Sequence, residues 1–315
     1  MILKKIKNKI AFLKKQKAIK KLSGSLSFPL NKAIIISGVP RGGSTWFAEL
    51  LNTDKKSAII WEPLHLNFYD GFNEFNLKWR PFFNENNNDN NLKQAFKTVL
   101  TGNRLTLGVL QKTNIEQLKN SNYLIVKFCR ANRLLPYLTY NFKFGKVIHL
   151  LRHPCAVVAS QLKFGAWDDV LPYFTEEELA PDGYIENYYD IIKPIKTIEE
   201  KLAAIWCLDN LIPLTQNNHN KWISITYENL MLTPEKTFNR LNITFTDDMK
   251  QKFYKPSSTT KKGSPINNDK SSIVNQLSYW KKKLNPQQIE SILNIVEAFK
   301  LNTIYNDDIY PLVNY

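Results

Sequence analysis

Apolar and polar positions switch between two periods along this chain, and the switching predicts a layered α/β fold. Ile2, Leu3, Ile6, Ile10 and Leu13 recur at helical spacing among lysines, which predicts a basic amphipathic helix over residues 1–22. Ala33 to Ser37 is a short β-branched run that suits a strand buried on both faces. Gly38 to Gly43 interrupt it, and Ser44 to Leu51 resume at helical spacing. Runs at 123–128, 146–151 and 222–226 repeat the buried-strand pattern. Strands separated by helix-patterned stretches predict three layers, a parallel sheet flanked by helices on both faces. Two segments depart from the pattern. Residues 84–91 are Asn-rich and predict a flexible loop insert. Residues 168–190 are acidic and contain Pro172 and Pro181; they read as a lid near the C-terminal edge of the sheet, or as a solvated surface. Residues 1–28 are then a helix and linker, and 29–315 a single domain.

Composition narrows the function classes. The chain has 315 residues with 43% hydrophobic and 23% charged side chains, ordinary for a globular protein, and no run approaches the length of a membrane span. Nine lysines and no acid fall in the first 22 residues, so most of the formal charge of +15 belongs to the terminal helix. About +6 is left for the body, which argues against a nucleic-acid partner. Abundant Lys and Asn are what AT-rich coding produces, so the high pI is weak functional evidence. The helix suits either an anionic membrane surface or packing on the domain. No uninterrupted apolar stretch follows its lysines, so it does not read as a signal peptide. Cys129, Cys155 and Cys207 are too widely spaced for a metal site or a disulfide framework, which points to a reducing compartment; the expected location is cytoplasmic, with the basic helix allowing a peripheral place at the inner face of a membrane.

The chemistry concentrates at Gly38-Val-Pro-Arg-Gly-Gly-Ser-Thr-Trp46, between a predicted strand and a predicted helix. Glycines let such a loop curl so that its N–H groups converge on an anion at the helix N-terminus. Gly38, Gly43 and Thr45 keep Walker A spacing, but Ser44 stands where that motif has Lys. An ATP-dependent phosphotransferase would lack its phosphate-binding cation there, although Arg41 supplies one from another direction. The loop therefore reads as P-loop-type, holding a phosphate-like group other than ATP. A second element, Val147 to Ser160, puts Arg152 at a strand end, Pro154 at a helix start and Ser160 about two turns in. A guanidinium and a hydroxyl at that spacing can reach one phosphate.

Together these motifs resemble the sulfotransferases that use 3′-phosphoadenosine-5′-phosphosulfate (PAPS), over roughly residues 31–300. Arg41, Gly42, Gly43, Ser44, Thr45 and Trp46 resemble the family's 5′-phosphosulfate loop, and Arg152 with Ser160 its 3′-phosphate element. The resemblance implies that Tyr227, in Tyr227-Glu-Asn-Leu230, lies near the adenine. It implies that Lys262 and Gly263 belong to the late basic loop over the 3′-phosphate. Trp46 is read as a stacking partner near adenine or as core. Lys127, in the strand-Lys segment, inherits assistance to the leaving group. Sulfonyl transfer needs no metal clamp, and no metal ligands are predicted.

On the acceptor side the chain departs from the cytosolic members, which place a His two positions after the Lys; here that position is Cys129. Trp61-Glu62-Pro63-Leu64-His65 resembles the Glu-Pro segment of carbohydrate sulfotransferases. It implies a glycan acceptor, with Glu62 as general base or as a structural carboxylate paired with a basic neighbour, and His65 behind it. His149 reads as a satisfied sheet histidine. The competing readings are a P-loop phosphotransferase, the same sulfonyl chemistry on a lipid or small-molecule alcohol, and a basic membrane- or nucleic-acid-associated module.

Overall fold

The computed structural model describes residues 2–164, 182–216, 220–258 and 269–313, and only the backbone of residues 2–9 and 11. Five strands make one parallel sheet: β1 Ile34–Gly38, β2 Ser57–Trp61, β3 Tyr123–Phe128, β4 Lys146–Leu151 and β5 Ile223–Thr226. Their order is β2-β3-β1-β4-β5, so successive connections leave β1 toward both edges. In a parallel sheet the crevice at such a reversal, beyond the strand C-termini, is where ligands sit. The four runs read from sequence are all strands. Ser57–Trp61 is a fifth, paired in register with β3 so that Trp61 lies opposite Lys127.

The alternation within each strand fills two cores. Ile35, Ala58, Ile60, Leu124 and Val126 face one layer of helices, while Ile36, Ile59, Ile125, Ile148 and Ile225 face the other. A third cluster gathers the 154–164, 198–215 and 286–298 helices around Leu151, Cys155 and Trp206. Both sheet faces are thus covered, as nearly continuous β-branched strands demand.

The outer edge of β2 is not left open. Thr113 Oγ1 accepts from the Ile59 N–H (2.8 Å) and donates to the Ile59 carbonyl (2.9 Å), and the Trp61 N–H donates to the Val109 carbonyl (2.8 Å). The 109–113 segment therefore stands in for a sixth strand.

Two expectations need correction. Asn90 and Asn91 belong to the Asn90–Leu100 helix, because Asp89 accepts from Asn91 N and Leu92 N and caps it; the loop is only the part before Asp89. The N-terminal helix, Ile2–Leu22, has two apolar sides instead of one stripe. Ile19 is buried, Leu22 packs on the same core, and Lys15 Nζ donates to the Leu110 carbonyl (3.0 Å). Ile10 and Leu13, from the predicted stripe, remain about half exposed. Of the acidic segment only 182–190 is described. There Asp182 accepts from Tyr184 N and Ile185 N and pairs with buried Arg133 at 3.3 Å; residues 168–181 lie outside the described residues. No helix among the described residues is long and apolar enough to cross a membrane.

Candidate active site

Beyond the C-terminal ends of β1, β3 and β4 lies a cavity of about 460 Å³. It is lined by five cationic side chains, Arg41, Lys127, Arg130, Arg152 and Lys255, against one carboxylate, Glu62. Such an excess in a partly dry crevice is a site for an anion of more than one charge.

The loop from Gly38 is shaped by backbone requirements. Gly43 caps the Ser44–Leu51 helix with φ +97°, and a Cβ there would stand 2.8 Å from the Tyr227 ring. Only glycine meets both conditions without strain. Arg41 also has positive φ, +71°, which turns its side chain out of the strand line. Its guanidinium lies 4.1 Å from the Phe164 ring centroid, and its Nε donates to Ser160 Oγ at 3.0 Å. Burial and the nearby Arg152 charge both press the Arg41 pKa below its ordinary value.

The two anion motifs, more than a hundred residues apart in sequence, meet here. Arg152 donates to the Arg41 carbonyl at 3.1 Å and lies over the Tyr227 ring, 4.5 Å from its centroid. Its buried Nε has no hydrogen-bond partner among the described residues. A buried guanidinium N–H left without a partner is costly unless a ligand takes it. Ser160 is not itself on the cavity wall; it reaches the site through Arg41. The Tyr227–Leu232 helix is tied to the Arg152 turn by Glu228, which accepts from His153 N (3.0 Å) and from Tyr305 Oη (2.7 Å). Trp46 meets Tyr227 edge-on at 5.7 Å, and its indole N–H donates to the Phe253 carbonyl (3.2 Å). It packs in the core and also lines the cavity.

At the other end, Lys127 Nζ donates to Glu62 Oε1 (2.6 Å) and to Cys129 Sγ (2.9 Å), while Arg130 donates to Glu62 Oε2 (2.8 Å). Burial alone would raise the Glu62 pKa, but the two cations outweigh it and hold the carboxyl at about 2. Burial likewise disfavours the Lys127 ammonium, and Cys129 and Glu62 outweigh it, so its pKa is raised. Both Glu62 oxygens are thus paired with cations, Oε1 with Lys127 and Oε2 with Arg130. Glu62 sits at φ +48°, with its N–H donating to the Lys127 carbonyl at 2.7 Å.

His65 is a wall residue. It stacks on Phe68 at 3.6 Å and meets Trp79 edge-on at 4.9 Å, while its Nδ1 accepts from Asn67 N at 3.3 Å. In the neutral ring that bond assigns the proton to Nε2, so the geometry favours a donor over a base. Trp61 continues the aromatic wall, stacked on Phe68 at 5.8 Å. Lys112 lies 5.0 Å from the Trp61 ring centroid and donates to Ser258 Oγ (2.7 Å), whose hydroxyl in turn donates to Glu49.

His149 is the satisfied sheet histidine expected, between Ser224 Oγ (3.1 Å) and Asn210 Oδ1 (2.9 Å), and burial lowers its pKa to about 4. His153 is also buried, stacked on Trp280, and lowered to about 4. Lys262 and Gly263 lie outside the described residues. Sequence reasoning missed Arg130, Lys255 and Phe68. Arg130 had a signal, a second cation at the end of the Lys127 strand; Lys255 and Phe68 had none. Among the described residues no group of three or more His, Cys, Asp or Glu is arranged to hold a metal.

No family model matches the chain, and no curated protein matches it. Among solved structures it is similar to the sulfotransferase domain from the curacin biosynthetic pathway, at 18% identity over 85% of this chain and 97% of that one, TM-score 0.43. It is similar to the sulfotransferase domain of the Synechococcus PCC 7002 olefin synthase, at 18% identity over 90% and 97% of the two chains, TM-score 0.44. It is also similar to mouse sulfotransferase SULT7A1 complexed with PAP, at 11% identity over 91% and 90%, TM-score 0.41.

Proposed function

We propose that this chain is a sulfotransferase that moves a sulfonyl group from PAPS to an acceptor hydroxyl on a carbohydrate. The observation that carries the reading is the meeting of Arg41 and Arg152 in one cavity, with Lys127 across from them and no Walker lysine. A doubly phosphorylated nucleotide needs two separate cationic seats, and an ATP site built on a P-loop needs that lysine.

The donor set fits PAPS on this structure's own terms. The orphaned Arg152 Nε and the Arg152 guanidinium suit the 3′-phosphate, and Arg41 with the 42–45 loop suits the 5′ end. Trp46 and Tyr227 offer apolar faces for the base. When bound, PAPS supplies an activated sulfonyl group. Lys127 holds an ammonium where charge develops on the leaving oxygen, a preorganised donor in a partly buried site. Glu62 keeps that ammonium oriented. As the one carboxylate on the described wall, it is also the group to take the acceptor's proton while the new bond forms. Trp61, His65 and Phe68 are stacked on one another and give this part of the cavity an aromatic lining, an apolar partner for the C–H faces of a sugar ring, which supports the carbohydrate over an aliphatic alcohol.

The test is thermal shift with 3′-phosphoadenosine-5′-phosphate against ATP, without metal. Stabilisation by the bisphosphate alone is the expected result. Stabilisation by ATP with Mg²⁺ alone overturns the reading in favour of a phosphotransferase.

The N-terminal helix extends the proposal to location. Its stripe at Ile10 and Leu13 is exposed and surrounded by lysines without acids, which suits the anionic inner face of a membrane. Co-sedimentation with phosphatidylserine vesicles but not phosphatidylcholine vesicles is expected, and equal recovery with both refutes it.

A further inference from the structure

Where the resemblance implies an imidazole, this chain has a thiol in contact with its central lysine. Lys127 and Cys129 are two apart at the end of β3, so both side chains leave the strand on the same face. Nζ and Sγ lie 2.9 Å apart, close enough for one oxygen atom to bridge them with little movement. Both line the cavity, so a small oxidant reaches the sulfur from there, although Cys129 is only 6% exposed. Cys155 and Cys207, by contrast, are fully buried in the helical core.

We propose that Lys127 and Cys129 form a reversible N–O–S bridge on exposure to hydrogen peroxide, making the pair a modification site that switches the cavity off. The step balances with two peroxide molecules. The first oxidises the thiol to a sulfenic acid and leaves as water. For the second, Nζ gives one proton to solvent to become an amine. An N–H and the sulfenic O–H are then lost, an N–O bond forms, and the peroxide leaves as two waters. Sulfur and nitrogen are each oxidised by two electrons. The bridged nitrogen is far less basic than an amine, so the cavity loses the ammonium that Glu62 holds. Two molecules of dithiothreitol, each leaving as its cyclic disulfide, supply the four electrons and four hydrogens that restore thiol and amine and release one water.

Burial and the Glu62 carboxylate hold the Cys129 thiol above its ordinary range, which lowers its thiolate fraction and slows its oxidation relative to an exposed thiol. A nucleotide filling the cavity shields the sulfur. The bridge itself rests on geometry alone; its effect on turnover rests on the function proposed above.

Tryptic mapping of the full chain after peroxide treatment tests it. Trypsin cuts reduced protein after Lys119, Lys127 and Arg130. The bridge removes the Lys127 site, so the expected product is an uncut 120–130 peptide, heavier by one oxygen less two hydrogens, about 14 Da. It should vanish on dithiothreitol treatment and be absent from Cys129→Ala and Lys127→Arg proteins. Cys129 as a sulfinic acid with normal cleavage at Lys127 overturns the proposal, as does an unchanged peptide. Equal oxidation of Cys155 and Cys207 also overturns it, by tracing the chemistry to unfolding. Binding of 3′-phosphoadenosine-5′-phosphate, followed in parallel, separates the two readings. If reduced protein gives no thermal shift, the functional reading fails while the mass result still decides the bridge.

Discussion

The two ends of the cavity are built on different principles. The end proposed for the phosphates is made by two contiguous turns, 38–46 and 152–160, whose glycines, strand ends and helix starts fix the backbone before any side chain is placed. The end proposed for the acceptor is made by side chains from separate segments, Trp61 through Phe68, Trp79, Lys112 and the end of β3. One end presents main chain and guanidinium groups; the other offers aromatic side chains around one ion-paired carboxylate. A site of this kind can keep its donor while its acceptor wall changes. Single substitutions should accordingly separate donor binding from acceptor handling.

The largest separation is expected at Lys127, whose ammonium lines the cavity beside Glu62 and Cys129. Lys127→Met should lower turnover about 10²–10³-fold, the usual cost of one preorganised donor, with bisphosphate affinity reduced far less. Isothermal titration beside a sulfonyl-transfer assay reads both. On the phosphate end, Gly43→Ala forces a Cβ against Tyr227 at a positive φ. Bisphosphate binding should weaken by about 100-fold, equivalent to about 3 kcal/mol, while acceptor binding measured on its own stays put. If donor affinity is untouched, the main chain does not make that end.

Glu62 sharpens the comparison through pH. Its pKa of about 2 against an ordinary 4.5 means that its ion pairs stabilise the fold fully above pH 4.5 and lose that contribution as pH falls towards 2. The amount is about 3 kcal/mol. Denaturant unfolding at pH 6 and pH 3 should show the wild-type advantage over Glu62→Gln shrinking at the lower pH. No acid limb from Glu62 should appear in the rate profile above about pH 3. The smallest effect belongs to Trp61→Ala, which should raise the acceptor KM about tenfold and leave bisphosphate affinity unchanged. A loss of both would mean that the aromatic wall holds up the whole cavity.

The same contrast explains what could be read from the chain beforehand. Arg41, Gly43, Arg152 and Tyr227 sit in local patterns where the chemistry dictates neighbours, and the structure brings all four to one cavity. The four buried runs announced their strands because a parallel strand covered on both faces has almost no polar positions. β2 was harder to see, since it follows the Ser44–Leu51 helix after a short turn and offers only Ala58-Ile-Ile60 before Trp61. Arg130 and Phe68 were not legible as site residues, because only tertiary register sets Arg130 beside Glu62 and Phe68 against His65. The role of His65 depended on which neighbours stack on it, which no spacing encodes. The second apolar side of the N-terminal helix was hidden in the same way, because Ile19 and Leu22 acquire meaning only from the core they meet.

The seal along β2 has a consequence for what can enter. A polypeptide recognised by lying down as an added strand needs an open row of N–H and carbonyl groups. Beside the acceptor end that row is occupied by Thr113 and Val109. An extended peptide therefore cannot add itself to the sheet at Ile59 and Trp61, so this edge is closed to recruitment by strand addition.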